Sequence, residues 1–439
     1  MTERLGIRGP ATLADHVRRH GYLPRIPGRK GKVPGALVSE AESARLRGRG
    51  GGWFPTHLKL RAVVESSDGR GRLSRTRNPL VIANGMEGEP ASGKDAVLLA
   101  SAPHLVLDGI QVAARTIGAT DAFIAIHRGA PSVAAVEGAL DERARAGIDE
   151  IRIRIVTPPA RYVASEESAL AHWVGEGQAT PVFPDRPFQR GSAGRPTLVQ
   201  NVETLAHLAL IARHGGDWYA SVGAPSAPGT TLVTVGGGVA TPGVLEVPTG
   251  TSVDDILRAC GGATGPIRGY LTGGYGGGWV EAGDFGRVAW DPDSVKAGGG
   301  VIGASVLWAV DENTCPLDEM ARVTAWMAGE SAGQCGPCIF GLPAVAGDVR
   351  ALALRQLDEA GAKRLRGRLG LITNRGGCKH PDGTARFVAT GLAAFQDEVD
   401  LHLDGRCSAV GSRHLVDAHA LPVPAVRLPA LDRDGRDFA

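Results

Sequence analysis

Three groups of residues have types and spacings suited to chemistry. Cys335 and Cys338 frame Cys-Gly-Pro-Cys, and Cys378 follows forty positions later. Soft thiolates so spaced hold an iron–sulfur cluster or zinc. Three thiolates need a fourth ligand. The position three before Cys335 is Ala332, and His380 would complete a Cys3His zinc site; unligated thiols are the plain alternative. Cys260, Cys315 and Cys407 have no paired spacing and read as buried or tail residues. The second group is the loop Gly48-Arg49-Gly50-Gly51-Gly52, which runs into a helix near Pro55 with Lys59 on its first turns. Bare amides at a helix N-terminus beside a lysine suit an anion such as phosphate, and a flexible turn is the other reading. No Gly-Lys-Ser/Thr closes the loop, so it is not a Walker loop. The third group is acidic. Asn84, Glu87 and Glu89 leave the end of a predicted strand, where an amide and carboxylates suit ribose hydroxyls or a heteroaromatic ring. Glu166 and Glu167 follow Ser165, an expected N-cap, where acids ordinarily complement the helix dipole.

These residues need a scaffold, and the apolar periodicity supplies one. Residues 1–38 are basic and rich in Gly and Pro and read as an extended arm. A helix is expected from Ser39, which has capping-box spacing to Glu42, up to Gly48. Strands are expected at 79–85, 120–127 and 151–157, with helices at 102–117, 131–146, 165–176 and 201–214. Strand and helix in alternation predict a parallel, doubly wound α/β domain over 39–225. A hairpin (230–235 with 244–247), a short helix (253–260) and strands at 269–272 and 301–309 suggest a β-grasp-like unit over 226–314. Residues 315–403 read as helices at 316–328, 342–357, 362–371 and 385–402. Residues 404–439, with Pro422, Pro424 and Pro429, read as a flexible tail.

Composition narrows the classes. The 439 residues include 63 Gly without a collagen period, so many positions suit tight turns or close approach to a ligand. A net charge of +2 with interspersed signs gives no electrostatic footprint for nucleic acid. No apolar run reaches the roughly 18 residues of a membrane helix, and the N-terminus does not resemble a signal peptide. Six cysteines in so long a chain fit a reducing compartment. The expectation is a cytoplasmic protein, peripheral to any membrane complex it serves.

In order, the segments resemble the NADH-binding flavoprotein subunit of respiratory complex I and the related diaphorase subunits of NAD-linked hydrogenases and formate dehydrogenases. The resemblance rests on residues 49–59, 84–95, 165–170, 194–204 and 331–338, with Cys378 where that family places its last cluster cysteine. It implies a Rossmann-like FMN domain, a β-grasp (SLBB) domain and a C-terminal helical bundle with an iron–sulfur site. The implied activity is NADH oxidation through FMN, with electrons passed to a cluster and on to a ferredoxin-like or other electron-transfer subunit of a hetero-oligomeric complex. By position, Arg49, Gly50, Gly51, Gly52 and Lys59 would cradle FMN, and Asn84, Glu87, Gln200 and Asn201 would line it. Phe54 would flank the nicotinamide, and Glu89, Glu166 and Glu167 would serve NADH. Cys335, Cys338 and Cys378 would hold a [4Fe-4S] or [3Fe-4S] cluster. The chain departs from the pattern at Ala332 (a cysteine in the family), Met86 (an aspartate), Trp53 (a glycine) and the run Phe183-Pro-Asp-Arg-Pro187. These departures leave two rival expectations: an accessory subunit that no longer oxidises NADH, and structural zinc in place of the cluster.

Overall fold

The computed structural model describes residues 4–7, 12–24, 35–68 and 78–409, which divide into two compact units. The first contains the described residues up to Gly88, with Lys94–Leu232 and Glu246–Gly250. The second contains Glu89–Gly93, Val233–Leu245 and the described residues from Thr251 onward.

Four parallel strands form the centre of the first unit: β1 (Leu80–Asn84), β2 (Asp121–Ala125), β3 (Ile153–Val156) and β4 (Thr197–Asn201), in the order β3-β2-β1-β4. Leu80-Val-Ile-Ala83 is buried throughout, as an apolar run in a parallel sheet should be. The first three strands match the expectation from sequence. β4 is an addition to it, because Leu198 and Val199 between polar neighbours are too short a run to register as a period. It pairs with the edge of β1 opposite β2, so the strand order reverses between β1 and β4. Ala83 faces Gln200 and Asn84 faces Asn201 across that reversal. In open α/β sheets the crevice beyond such carboxyl ends is where ligands bind.

Behind the sheet's ends, helices Pro103–Ile117 and Val202–His214 touch backbone to backbone. A Cβ on Gly109 would lie 2.0 Å from the Leu205 carbonyl oxygen, so only glycine allows the approach. Nearly every residue of Pro103–Ile117 is buried, which accounts for its apolar character on all sides. It bends by 96° from the preceding helix Lys94–Ser101. No single helix among the described residues is long and apolar enough to cross a membrane.

The N-terminal segment corrects the sequence reading. Leu13–His20 is a helix whose Thr12 and Asp15 form a capping box, so the extended-arm reading of 1–38 fails there. Residues 25–34 of that arm lie outside the described residues. The next helix is Ala36–Ser43 with Gly35 as its N-cap, not a helix capped by Ser39.

A short hairpin, β5 (Gly223–Ala224) with β6 (Ala227–Pro228), precedes a mixed sheet. That sheet comprises β7 (Thr230–Gly237), β8 (Gly243–Pro248), β9 (Ile267–Thr272), β10 (Gly278–Glu281) and β11 (Val306–Asp311), in the order β10-β9-β11-β7-β8. β11 runs parallel to β7 and antiparallel to β9. Helix Val253–Ala259, capped by Ser252, completes the β-grasp pattern. The remaining helices of the second unit are Pro292–Ala297, Pro316–Gly329, Leu342–Ala353, Glu359–Ile372, His380–Ala394 and Gln396–Leu403. The sequence reads the last two as one helix. The chain leaves helical geometry at Phe395 (φ −124°, ψ 43°), whose buried ring meets Trp279 edge-on at 5.7 Å. Of the predicted tail, 404–409 are ordered against the helices, and 410–439 lie outside the described residues.

Candidate functional site

The glycine loop sits just before helix Thr56–Ser67 in the first unit. Pro55 is its N-cap and supplies no side-chain hydrogen bond, and the Thr56 amide donates to the Leu46 carbonyl at 2.9 Å. Gly51 has φ +101°, a value that suits glycine alone. A Cβ on Gly50 would come within 3.2 Å of Asn201 Cβ, and one on Gly52 would meet nothing within 4 Å. Open space therefore borders the loop. The Thr56 hydroxyl at the helix start is buried without a hydrogen-bond partner. The Trp53 indole is buried, with the Arg49 guanidinium stacked 4.2 Å from its ring centroid. Arg49 also turns inward, donating to the carbonyls of Arg47 and Thr230 and to the Tyr219 hydroxyl. The Arg49 side chain thus anchors the loop to Tyr219 and Thr230. Phe54 projects from the same loop, 55% exposed.

Beyond β1 and β4, Asn84 Nδ2 donates to the Ser165 carbonyl at 2.9 Å, and Gln200 is buried. Asn201 is fixed from three sides. Its Oδ1 accepts from Glu203 N at 2.9 Å and from Lys94 Nζ at 3.4 Å, while its Nδ2 donates to Asp95 Oδ2 at 2.7 Å. Lys94 is itself buried, 2.6 Å from Asp95 and 2.9 Å from Glu203. Burial opposes its charge, yet Asp95 and Glu203 outweigh that and raise its pKa. Burial likewise opposes the charge on Glu203, but Lys94 brings its carboxyl down to about 2. Burial pushes Asp95 up to about 7, with Glu87 adding to the rise and Lys94 opposing it. One buried cation therefore holds one full anion and shares a proton-accepting neighbour. Sequence reasoning gives no role to Lys94, Asp95 or Glu203. A lysine–aspartate pair opening an otherwise apolar helix is the available signal.

The acids divide by what their carboxylates do. Glu87, expected to line the flavin, accepts from Asp95 N at 2.9 Å and Ala96 N at 2.8 Å, capping helix Lys94–Ser101. Glu166, not Ser165, caps helix Glu167–Glu176 by accepting from Ser168 N and Ala169 N. Burial raises the pKa of its carboxyl. Both carboxylates therefore cap helices at the loops where the sequence places the cofactor contacts. Glu89, in the second unit, accepts from Ala91 N at 3.1 Å and Tyr275 N at 2.9 Å. Glu167 pairs with Lys59 at 2.6 Å, and both side chains are partly exposed. Met86, where the family pattern has an aspartate, is buried among Leu80, Ile82, Leu170 and Val199.

The second unit brings the three predicted thiols into one neighbourhood. Cys335 precedes the π-helical turn Pro337–Gly341 that carries Cys338, and Cys378 stands just before helix His380–Ala394. Burial opposes ionisation of Cys335, but backbone hydrogen bonds from Gly377 and Cys338 prevail and lower its pKa. Burial raises Cys338 to about 11, and the thiols of Cys335 and Cys378 contribute to the rise. The Ser331 hydroxyl, beside the missing-cysteine position, hydrogen-bonds Cys338. His380 turns its Nε2 onto the Met327 carbonyl at 2.9 Å.

Known proteins match these pieces in the same order. Residues 41–210 match the Nuo51 FMN-binding domain, 232–272 the SLBB domain, and 318–402 the NADH-ubiquinone oxidoreductase-F iron–sulfur binding region. An NADH-quinone oxidoreductase chain of Streptomyces coelicolor is 29% identical over 405 residues, covering 89% of this chain and 88% of its own. The Escherichia coli counterpart is 26% identical over 407 residues, covering 89% of each. Among solved structures, an NAD+-reducing [NiFe]-hydrogenase in its H2-reduced state superposes with a TM-score of 0.76 at 28% identity. That match takes in 84% of this chain, which spans 62% of the hydrogenase chain. Fold and domain order define an FMN- and iron–sulfur-dependent oxidoreductase subunit. Over most of its length the chain is similar to the NADH-binding flavoprotein subunits of complex I and to an NAD+-reducing hydrogenase, the resemblance its motifs carry.

Proposed function

We propose that the chain is the NADH-oxidising input of a multi-subunit electron-transfer assembly, and that it delivers single electrons to an iron–sulfur partner subunit. The observation that carries this reading is the crevice where Asn84 and Asn201 face each other across β1 and β4 beside the open glycine loop. FMN, when bound, supplies the conversion between a two-electron hydride and single electrons. The amides of Gly50, Gly51 and Gly52, the start of helix Thr56–Ser67 and Lys59 would hold its phosphate. Asn84, Gln200 and Asn201 present amides to the ring, with Asn201 held rigid by Lys94 and Asp95. Phe54 offers an exposed aromatic face to a nicotinamide. Glu167 would meet ribose hydroxyls, where a carboxylate repels a 2′-phosphate and favours NADH over NADPH.

Cys335, Cys338 and Cys378 would hold the cluster, and the Ser331 hydroxyl, which hydrogen-bonds Cys338, neighbours the missing-cysteine position Ala332. Ile339 and Phe340 follow Cys338 with 48% and 74% of their surface exposed. Apolar side chains left open beside a redox centre support a docking face for the partner. The test is an anaerobic preparation titrated with NADH. Bleaching of a bound flavin, faster with NADH than with NADPH, is expected, followed by an iron–sulfur EPR signal. A protein that retains no flavin, or a flavin that stays oxidised with NADH, would refute the reading.

A further inference from the structure

Two cysteines that the sequence leaves without a role meet in the helical part of the second unit. Cys315 is the N-cap of helix Pro316–Gly329, and Cys407 lies just past helix Gln396–Leu403. Between them, Glu398 and His402 project from one face of that last helix at i, i+4 spacing. The Cys315 Sγ is 3.5 Å from His402 Nε2, which is 3.3 Å from Glu398 Oε1. With Cys407 Sγ, all four ligand atoms lie within 4.8 Å of one another. Three of the residues are buried, and Cys407 is half-buried.

We propose that Cys315, Glu398, His402 and Cys407 form a structural site for one zinc ion, separate from the Cys335–Cys338–Cys378 group. The distances fit the metal. Ligands at about 2.3 Å for sulfur and about 2.05 Å for nitrogen and oxygen, in a tetrahedron, place sulfur and nitrogen about 3.6 Å apart and nitrogen and oxygen about 3.3 Å apart. The histidine is oriented for it. His402 Nδ1 lies 3.1 Å from the Leu352 carbonyl, which only accepts, so Nδ1 carries the proton and Nε2 presents its lone pair inward. That lone pair faces the Cys315 thiol at 3.5 Å and Glu398 Oε1, which also accepts from Ser408 N. The thiol protons fill the site without a metal, and a metal would displace them.

Charge closes as well. Two thiolates, the Glu398 carboxylate, the Arg268 guanidinium 2.9 Å from Glu398 and one divalent ion sum to zero. On binding, each thiol gives up its proton and no redox change occurs. All four ligands come from the protein, as in structural rather than catalytic zinc sites. The ion would tie the segment after the last helix to the start of Pro316–Gly329.

Metal counting on purified protein, with zinc separated from iron, tests this. About one zinc per chain is expected in the wild type and in Cys335→Ser, which disables the other thiol group. Cys407→Ser should retain about tenfold less. As a second measurement, chelator-treated Cys335→Ser protein should show sulfur-to-cobalt charge-transfer absorption on adding cobalt(II), and this decides the matter should Cys407→Ser not fold. Absence of both zinc and the cobalt band, zinc unchanged in Cys407→Ser, or a Cys315–Cys407 disulfide in peptide maps of the unreduced protein would each overturn the site.

Discussion

Lys59 and Glu167 meet at 2.6 Å with roughly a quarter and a third of their side-chain surface open. An ion pair this accessible contributes about 0–1 kcal/mol, so Lys59 is held in place without being needed for folding. Its charge is then free to matter for binding. Lys59→Ala should leave the melting temperature nearly unchanged and weaken FMN binding about 10- to 100-fold, the loss of one charge-assisted hydrogen bond. Flavin-fluorescence titration of stripped protein measures this, and an unchanged Kd would remove Lys59 from the phosphate site. His207 acts through protonation. Burial pushes its pKa down to about 4 from an ordinary 6.5, so between those values the unfolded chain takes a proton that the folded ring refuses. Stability from this group is full above pH 6.5 and falls as pH drops toward 4. Asp95, raised to about 7, acts with the opposite sign over a similar window, so the comparison must be between proteins. From pH 7 to pH 5 the wild type should lose about 2 kcal/mol relative to His207→Gln, at about 1.36 kcal/mol per pH unit. Denaturant unfolding at the two pH values checks it; parallel pH profiles would contradict it.

At the scale of elements, the crevice depends on two helices pressed together at Gly109. A methyl there meets the Leu205 carbonyl oxygen at 2.0 Å, and backbone cannot step aside as a side-chain tip can. Gly109→Ala should cost about 1–3 kcal/mol through overpacking, read as a lower melting temperature of the first unit. Since Val202–His214 begins at Asn201, a shift of that helix should also weaken flavin retention. The helix caps follow the same logic of local geometry. Glu87 and Glu166 carry types and positions that suit a nucleotide site, and both also accept from backbone amides as helix caps. Sequence cannot separate the two uses, because a carboxylate at a loop–helix junction satisfies orphan amides and a ribose hydroxyl equally well. Only the path of the loop decides which partner it reaches.

At the scale of the molecule, the residues proposed to hold the flavin lie in one unit and the thiols proposed for the cluster in the other. Cys335→Ser, Cys338→Ser and Cys378→Ser should therefore each lose most of the iron while retaining FMN near wild-type content, measured by iron and flavin assays on the same sample. Joint loss of both would mean that the units do not fold independently. The periodicity of apolar residues determined three strands of the parallel sheet, its main helices and the β-grasp hairpin, since burial of one face leaves its period in the chain. Motif order carried the family resemblance, because five local signals in sequence rarely coincide. Tertiary structure alone supplied β4 and so the reversal beside β1, a pairing between strands more than a hundred residues apart that leaves no local trace. It also turned Arg49 and Trp53 inward, broke the last helix at Phe395, and brought Cys315 within reach of His402 and Cys407. Contacts between distant residues are chosen by packing, and packing is written across the whole chain rather than in any window of it.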